Sequence, residues 1–245
     1  MQKFKLLSSN ALKLIACASM LIDHIGVMLF PKVVILRIIG RIAFPIFAFM
    51  IAEGARHTKN KLRYLLTVMA FACVCQIGIA VALPNPYLCV LVTFSLSIMV
   101  IYALDLFKRT LFSNSAGVIL KISLGLLFLV AVADVYILNS FSRVEYGFFG
   151  CMLPVLVSIP RMPESAPDCL KRYDTHLSSV ILCAVGMALM LLDAPLGKVQ
   201  LFSVLALPIL LLYSGKKGKL KLKYFFYIFY PAHIVILALI AILVR

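Results

Sequence analysis

Along this 245-residue chain apolar positions do not alternate with polar ones; they run in blocks separated by short clusters of charge, proline and glycine. A helix that crosses a bilayer needs roughly 20 apolar residues, within about 17–25. Nine blocks approach that length, at residues 11–30, 33–53, 64–83, 88–104, 118–138, 146–159, 177–192, 199–213 and 224–244. The sixth and eighth are short. The sixth also carries Gly147, Gly150 and Pro154, the pattern of a re-entrant or broken helix, which is tolerated where protein or water satisfies the freed backbone groups. The pattern predicts an all-α, polytopic transmembrane helical bundle of about nine spans, forming a single integral membrane domain over residues 1–245. No internal repeat interrupts it, which argues against transporter folds built from two matching halves.

Composition narrows the class further. The chain is 64% hydrophobic and 13% charged, against about 45–50% apolar and about 25% charged in soluble domains. A mean hydropathy of +1.09 leaves too little polar surface to wrap a water-soluble core. The net charge of +15 has the sign of a nucleic-acid binder, but such a protein needs its charge on a solvated face. Here the charge falls at the ends of apolar blocks, so nucleic acid is excluded as a partner and membrane lipid expected.

The same charge sets an orientation. With the N-terminus cytoplasmic, the inner loops hold Lys3, Lys5 and Lys13, then Arg56, Lys59, Lys61 and Arg63, then Lys108 and Arg109, then Arg161, Lys171 and Arg172, and finally Lys216, Lys217, Lys219, Lys221 and Lys223. The outer side holds Lys32, Arg143, Lys198 and Arg245, while Arg37, Arg41 and Lys121 fall within spans. That asymmetry follows the positive-inside rule. Lys13 interrupts the first apolar block, which then continues past a lipoprotein-like Leu14-Ile15-Ala16-Cys17, so no cleaved signal peptide is expected. The seven cysteines show no metal or redox spacing and are expected as small apolar residues. Asp134 and Asp193 are expected at solvated outer ends, and Asp105 beside Lys108 and Arg109 at an inner helix end.

Ionisable groups at bilayer depth cost roughly 2.5–3.5 kcal/mol each, so those within spans are functional or pairing candidates. Asp23 and His24 are adjacent in the first block, with His24 about 20 Å in from the inner end at 1.5 Å per residue. Arg37 and Arg41 stand four apart on one face of the second block, Arg41 about 12 Å below the outer edge and so near His24 in depth. A tight turn at Pro31 makes the two blocks an antiparallel hairpin, so that Asp23 can pair with Arg37 or Arg41. His233 lies in the last block behind Pro231, which is expected to free the Tyr227 carbonyl and bend the helix toward a cavity. Without chemistry, the same residues read as a structural ion pair and a buried neutral imidazole.

At the inner end of the second block, Glu53, Arg56 and His57 are followed by Lys59 and Lys61. Such a cluster suits the phosphates of an anionic donor, although positive-inside topology alone accounts for it. The lysines from 216 to 223 suit anionic lipid equally well.

Three blocks of residues carry a family resemblance. Leu21-Ile22-Asp23-His24-Ile25-Gly26, then Gly40-Arg41-Ile42-Ala43-Phe44-Pro45-Ile46-Phe47-Ala48-Phe49 leading to Glu53-Gly54 and His57, and finally Phe229-Tyr230-Pro231-Ala232-His233 resemble the TraX family of membrane proteins in order and spacing. They cover the first sixty residues and the last twenty or so; the middle, including the charged loop from Arg161 to His176, is similar only in hydropathy. The resemblance implies a bacterial inner-membrane acetyltransferase that N-acetylates pilin, with acetyl-coenzyme A as donor. The run from Phe49 to Gly54 is also similar to membrane acyltransferases that modify surface sugars. An envelope glycan or lipid therefore stands beside pilin as acceptor.

Together these readings predict acyl transfer from cytosolic acyl-CoA, with no metal. His24 or His233 is expected to take the acceptor's proton. Asp23 is expected to orient His24 or pair with Arg41, and Arg37 or Arg41 to stabilise the oxyanion. Glu53, Arg56, His57, Lys59 and Lys61, with Tyr230 of the last block, are expected to hold the donor. Two other classes fit the same residues: a proton- or ion-coupled transporter, and a pilus or envelope assembly protein without catalysis.

Overall fold

A computed structural model describes residues 6–82, 87–192, 198–218 and 222–244. Lys3, Lys5, Leu83, Asp193, Lys219, Lys221 and Arg245 lie outside the described residues, as do the side chains of Lys198 and Lys223. Every regular element among the described residues is helical. In chain order they are α1 (Ser9–Met28), α2 (Val34–Gly40), α3 (Ala43–His57), α4 (Lys61–Ala82), α5 (Val90–Leu111), α6 (Val118–Phe141), α7 (Gly147–Ser158), the short α8 (Asp168–Lys171), α9 (His176–Met190), a 3-10 segment (Lys198–Leu205), α10 (Ala206–Leu211) and α11 (Lys223–Val244). Helix thus occupies all nine apolar blocks. Among the described residues five stretches, Ser9–Met28, Val34–His57, Lys61–Val81, Val90–Leu111 and Val118–Phe141, are long and apolar enough to cross a membrane. Of the rest, the 12 residues of α7 reach about 18 Å at 1.5 Å each, well short of a hydrocarbon layer about 30 Å thick.

The apolar pattern predicts one uninterrupted helix over 33–53. The helix is instead broken at Arg41 and Ile42, and its second part runs on to His57. Pro45 is the physical reason. Its ring nitrogen lacks the hydrogen that would bond the carbonyl four residues back, at Arg41, so the ladder cannot continue across that point. Within the first turn of α3 the proline itself costs little.

The described residues form two compact units, one of residues 1–50 and 194–245, the other of 51–193. In the first, α1 lies against both α2 and α11. The turn between α1 and α2 is closed by the Val33 amide on the Phe30 carbonyl at 2.9 Å. The start of α1 is capped twice. The Ser8 hydroxyl accepts from the Ala11 amide at 3.2 Å, and the Ser9 and Asn10 amides donate to the Lys216 and Lys217 carbonyls at 2.8 and 3.3 Å. Four such amides are orphaned at every helix start, so the lysine-rich segment is fixed to α1 through its backbone. Leu12, Phe49 and Leu210 are fully buried in this unit.

In the second unit α5 lies against α4, α6 and α7, and α7 lies against α9. Glu145 accepts the Val90 amide at 2.7 Å, and its carbonyl takes the Thr93 hydroxyl at 2.8 Å, which joins the start of α5 to the loop before α7. The Ser97 hydroxyl bonds the Cys151 carbonyl at 2.7 Å. Lys108 Nζ donates to the carbonyls of Ser158, Ile159 and Arg161 at 3.3, 2.7 and 3.1 Å, satisfying the end of α7 with a cation as the helix dipole favours. Along α6 the side chains of Val118, Ile119, Leu126 and Leu129 are all more than half exposed. Such a face suits lipid rather than water.

Candidate active site

Hydrophobic burial does not drive helices together inside lipid, so close contact and polar pairing must do so. Both operate between α1 and α2. A Cβ on Gly26 would stand 2.8 Å from the Leu36 Cβ, and one on Gly40 would strike the Asp23 carboxylate. Through that gap Arg41 Nη2 donates to both Asp23 oxygens at 2.7 and 2.6 Å. Arg37 Nη1 lies 3.4 Å from the same carboxylate, and Arg41 Nε also donates to the Arg37 carbonyl at 3.4 Å. Asp23 and Arg41 are buried, whereas a third of the Arg37 side chain is exposed. Gly40→Ala is expected to force the carboxylate off Arg41 and to lower the melting temperature sharply. Gly117→Ala, where nothing lies within 4 Å of the added carbon, is expected to leave it unchanged; differential scanning fluorimetry in detergent checks both.

The histidines meet on the other side of α1. His233 Nε2 lies 3.3 Å from His24 Nδ1, with ring centroids 4.9 Å apart and an interplanar angle of 70°. Each ring is anchored to the carbonyl four residues before it: His233 Nδ1 to Phe229 at 2.7 Å and His24 Nδ1 to Met20 at 2.9 Å. A carbonyl only accepts, so both Nδ1 atoms carry hydrogen. The Nε2 of His233 then offers its lone pair to the shared hydrogen of His24, and the Nε2 of His24 keeps its own lone pair for an incoming donor. Phe229 stacks on His233 at 4.9 Å and 13°. Tyr230 touches it edge-on at 5.9 Å.

The structure therefore brings together all five residues expected to be catalytic, within one unit. It also divides their roles: Asp23 is given to Arg41 and Arg37, while the carbonyl of Met20 orients His24. Adjacent helix positions point about 100° apart, which is why Asp23 and His24 serve different neighbours.

Of the residues expected to hold the donor, Tyr230 belongs to the first unit and the other five to the second. Tyr230 sits with His233. Glu53 pairs with Arg161, and His57, 63% exposed, approaches Glu53 at 3.4 Å. Lys59 is exposed. Arg56 and Lys61 line a cavity of about 610 Å³ in the second unit, with three cations that the apolar pattern places only at helix ends: Lys108, Arg109 and Arg161. Asp105 bridges Lys61 and Arg109, at 3.2 Å from the latter, and Asp174 takes Arg56 at 3.5 Å. Asp105 thus pairs with Arg109 as expected but with Lys61 in place of Lys108, whose ammonium is held by carbonyls. The sequence carries one signal of this assembly: positive-inside counting puts all five cations on one side. Among the described residues no group of three His, Cys, Asp or Glu is placed to hold a metal.

Apolar helices of spanning length, a buried ion pair and two histidines in hydrogen-bond contact fit a membrane protein that keeps polar groups within its helices. The chain belongs to the TraX family: the family profile described as TraX protein matches residues 8–241. It is 25% identical, over 94% of each chain, to a probable fimbrial assembly protein, FimC of serogroup H1, from Dichelobacter nodosus. It is 44% identical over 57 residues, 23% of each chain, to an uncharacterized protein of Rickettsia prowazekii (strain Madrid E). No solved structure matches.

Proposed function

We propose that this TraX-family protein is a membrane-embedded acyltransferase that moves an acetyl or other acyl group from acyl-CoA to an acceptor at the membrane. The observation that carries the reading is the histidine pair, whose hydrogen bonds leave one imidazole lone pair, on His24 Nε2, available as a base. The acceptor's amine or hydroxyl attacks the thioester carbonyl and gives its proton to His24 Nε2. The C–S bond then breaks, the acyl group stays on the acceptor, and the proton passes to the departing thiolate. Charge developing on the carbonyl oxygen falls to Arg37, the partly exposed cation of the cluster. Arg41 is occupied by Asp23 and serves to position. Preorganised charge of this kind supplies the greatest share of the rate enhancement in many acyl transfers.

The relative's name, a probable fimbrial assembly protein, supports pilin as acceptor; an envelope glycan or lipid meets the same chemical requirement. It equally favours a second reading, pilus assembly without catalysis. Purified protein supplied with acetyl-CoA and pilin-bearing membranes separates the two. Acetylated pilin with release of the coenzyme's thiol supports transfer. Folded protein that binds pilin and releases no thiol supports assembly alone.

For topology we propose a multi-pass protein of the bacterial inner membrane with about nine spans and the N-terminus cytoplasmic. Charge asymmetry supports this, since Arg56, Lys61, Lys108, Arg109 and Arg161 share one predicted face and line one cavity. A cysteine placed at Ser142 is then expected to react with a membrane-impermeant maleimide in spheroplasts, and cysteines at Ser115 and Ser165 only after lysis. Labelling of Ser115 in intact spheroplasts contradicts that orientation.

A further inference from the structure

We infer that the cavity of the second unit is a binding site for a phosphorylated anion, with Arg109, Arg161 and Tyr102 as its recognition residues. Its lining has more donors than its own groups consume. Five cations face three carboxylates on the lining, Asp105, Glu164 and Asp174, and a fourth carboxylate, Glu53, pairs with Arg161 through its Nη2. Asp105 already lies under both Lys61 and Arg109, and Asp174 under Arg56 and the Met162 amide, the latter at 3.3 Å. A cation entering the cavity would find these two carboxylates neutralised. An anion would find hydrogen-bond donors unspent. Two polar atoms on the lining are buried without a hydrogen-bond partner among the described residues, the Arg161 Nε and the Tyr102 hydroxyl. A buried donor left without a partner is costly, and each of these two atoms carries a hydrogen for an acceptor that reaches it. Arg109, 63% exposed, keeps guanidinium hydrogens beyond those on Asp105, and a planar fork matches phosphate. Lys61, 5.2 Å from the centre of the Tyr102 ring, holds that ring in place. A volume of about 610 Å³ falls in the range of small-molecule sites, about 300–1,000 Å³.

The chemistry fits a soluble phosphate ester and a phospholipid headgroup alike. This inference rests on the acyl-transfer reading only in naming coenzyme A as the soluble carrier. The test uses the full chain in nanodiscs. Coenzyme A and pyrophosphate are titrated by calorimetry in discs of phosphatidylcholine, and melting temperature is compared between these and discs containing phosphatidylglycerol. Arg109→Gln is expected to weaken binding tenfold or more, and Tyr102→Phe several-fold at unchanged melting temperature. Arg63→Gln, at an exposed cation that does not line the cavity, is expected to change nothing. Soluble-ligand binding with that ranking supports a soluble carrier. Stabilisation by phosphatidylglycerol alone, lost in Arg109→Gln, supports a lipid headgroup. The inference is overturned when neither phosphate source gives a signal, or when the signal falls equally in Arg63→Gln. Binding is read without turnover, and His24→Asn is expected to retain it, so loss of transfer and loss of the anion site are separate results.

Discussion

Asparagine at either histidine is expected to lower acetyl transfer by about 10²–10⁴-fold while the protein stays folded. Asparagine is the informative replacement because its side-chain amide reaches the position of Nδ1. In His24→Asn it still donates to the Met20 carbonyl, at 2.9 Å in the native ring, and in His233→Asn to that of Phe229, at 2.7 Å. Only the atoms at Nε2 are lost: the base in one case and the acceptor that sets its partner's tautomer in the other. The double variant is expected to be no slower than the worse single one, since groups acting as one unit are strongly non-additive. Rates measured across pH separate the roles. The His24 variant loses the limb that reports a titrating base; the His233 variant keeps a limb and shifts it. If both variants transfer acetyl at the native rate, the histidine pair has no part in the chemistry.

The second large effect is on stability. Asp23→Asn removes the charge that neutralises Arg41, whose side chain is 5% exposed. Breaking a buried ion pair by removing one partner costs about 3–5 kcal/mol, because the remaining charge stays buried and uncompensated. Arg37 also loses its carboxylate, so two cations are left facing each other across one helix turn. Arg41→Met alone is expected to cost a similar amount. The paired Asp23→Leu, Arg41→Met variant is expected to recover much of the loss, because two apolar groups leave nothing unpaired. Equilibrium denaturation in mixed detergent measures all three. Single variants as stable as the native protein would remove the ion pair from the forces that hold α1 and α2.

What is legible in the sequence and what is hidden there follows from which forces act over short and long separations. Bilayer thickness imposes a length on every span, so helix existence is legible from apolar runs alone; α5 and α6 start within two residues of the expected positions. The hairpin of α1 and α2 is also local, and from it the depth match of Asp23 with Arg41 follows at once. Only the family resemblance links His233 to His24, since 209 residues separate them. The break at Arg41 escapes a count of apolar residues although Pro45 announces it: apolar length outweighs a missing amide. The cavity is the most deeply hidden feature. Lys108 and Arg161 have a sufficient explanation in topology, and nothing in a charge count distinguishes a solvated helix end from one folded over a pocket. The glycines of the family blocks are explained only by the structure. Gly26 and Gly40 admit a neighbouring helix and a carboxylate, and Gly54 admits the Tyr64 hydroxyl.

Thiol release is the decisive measurement for acyl transfer. Native protein and its His24→Asn variant, reconstituted in nanodiscs, are incubated with acetyl-CoA and pilin-bearing membranes. Free coenzyme A is followed with a thiol reagent, and the membrane proteins are analysed by mass spectrometry for added acetyl groups. Acyl transfer through His24 predicts steady thiol release and a matching gain of acetyl on one membrane component with the native protein, and neither above background with the variant. Native protein that is folded, binds its membrane partner and releases no more thiol than the variant contradicts it.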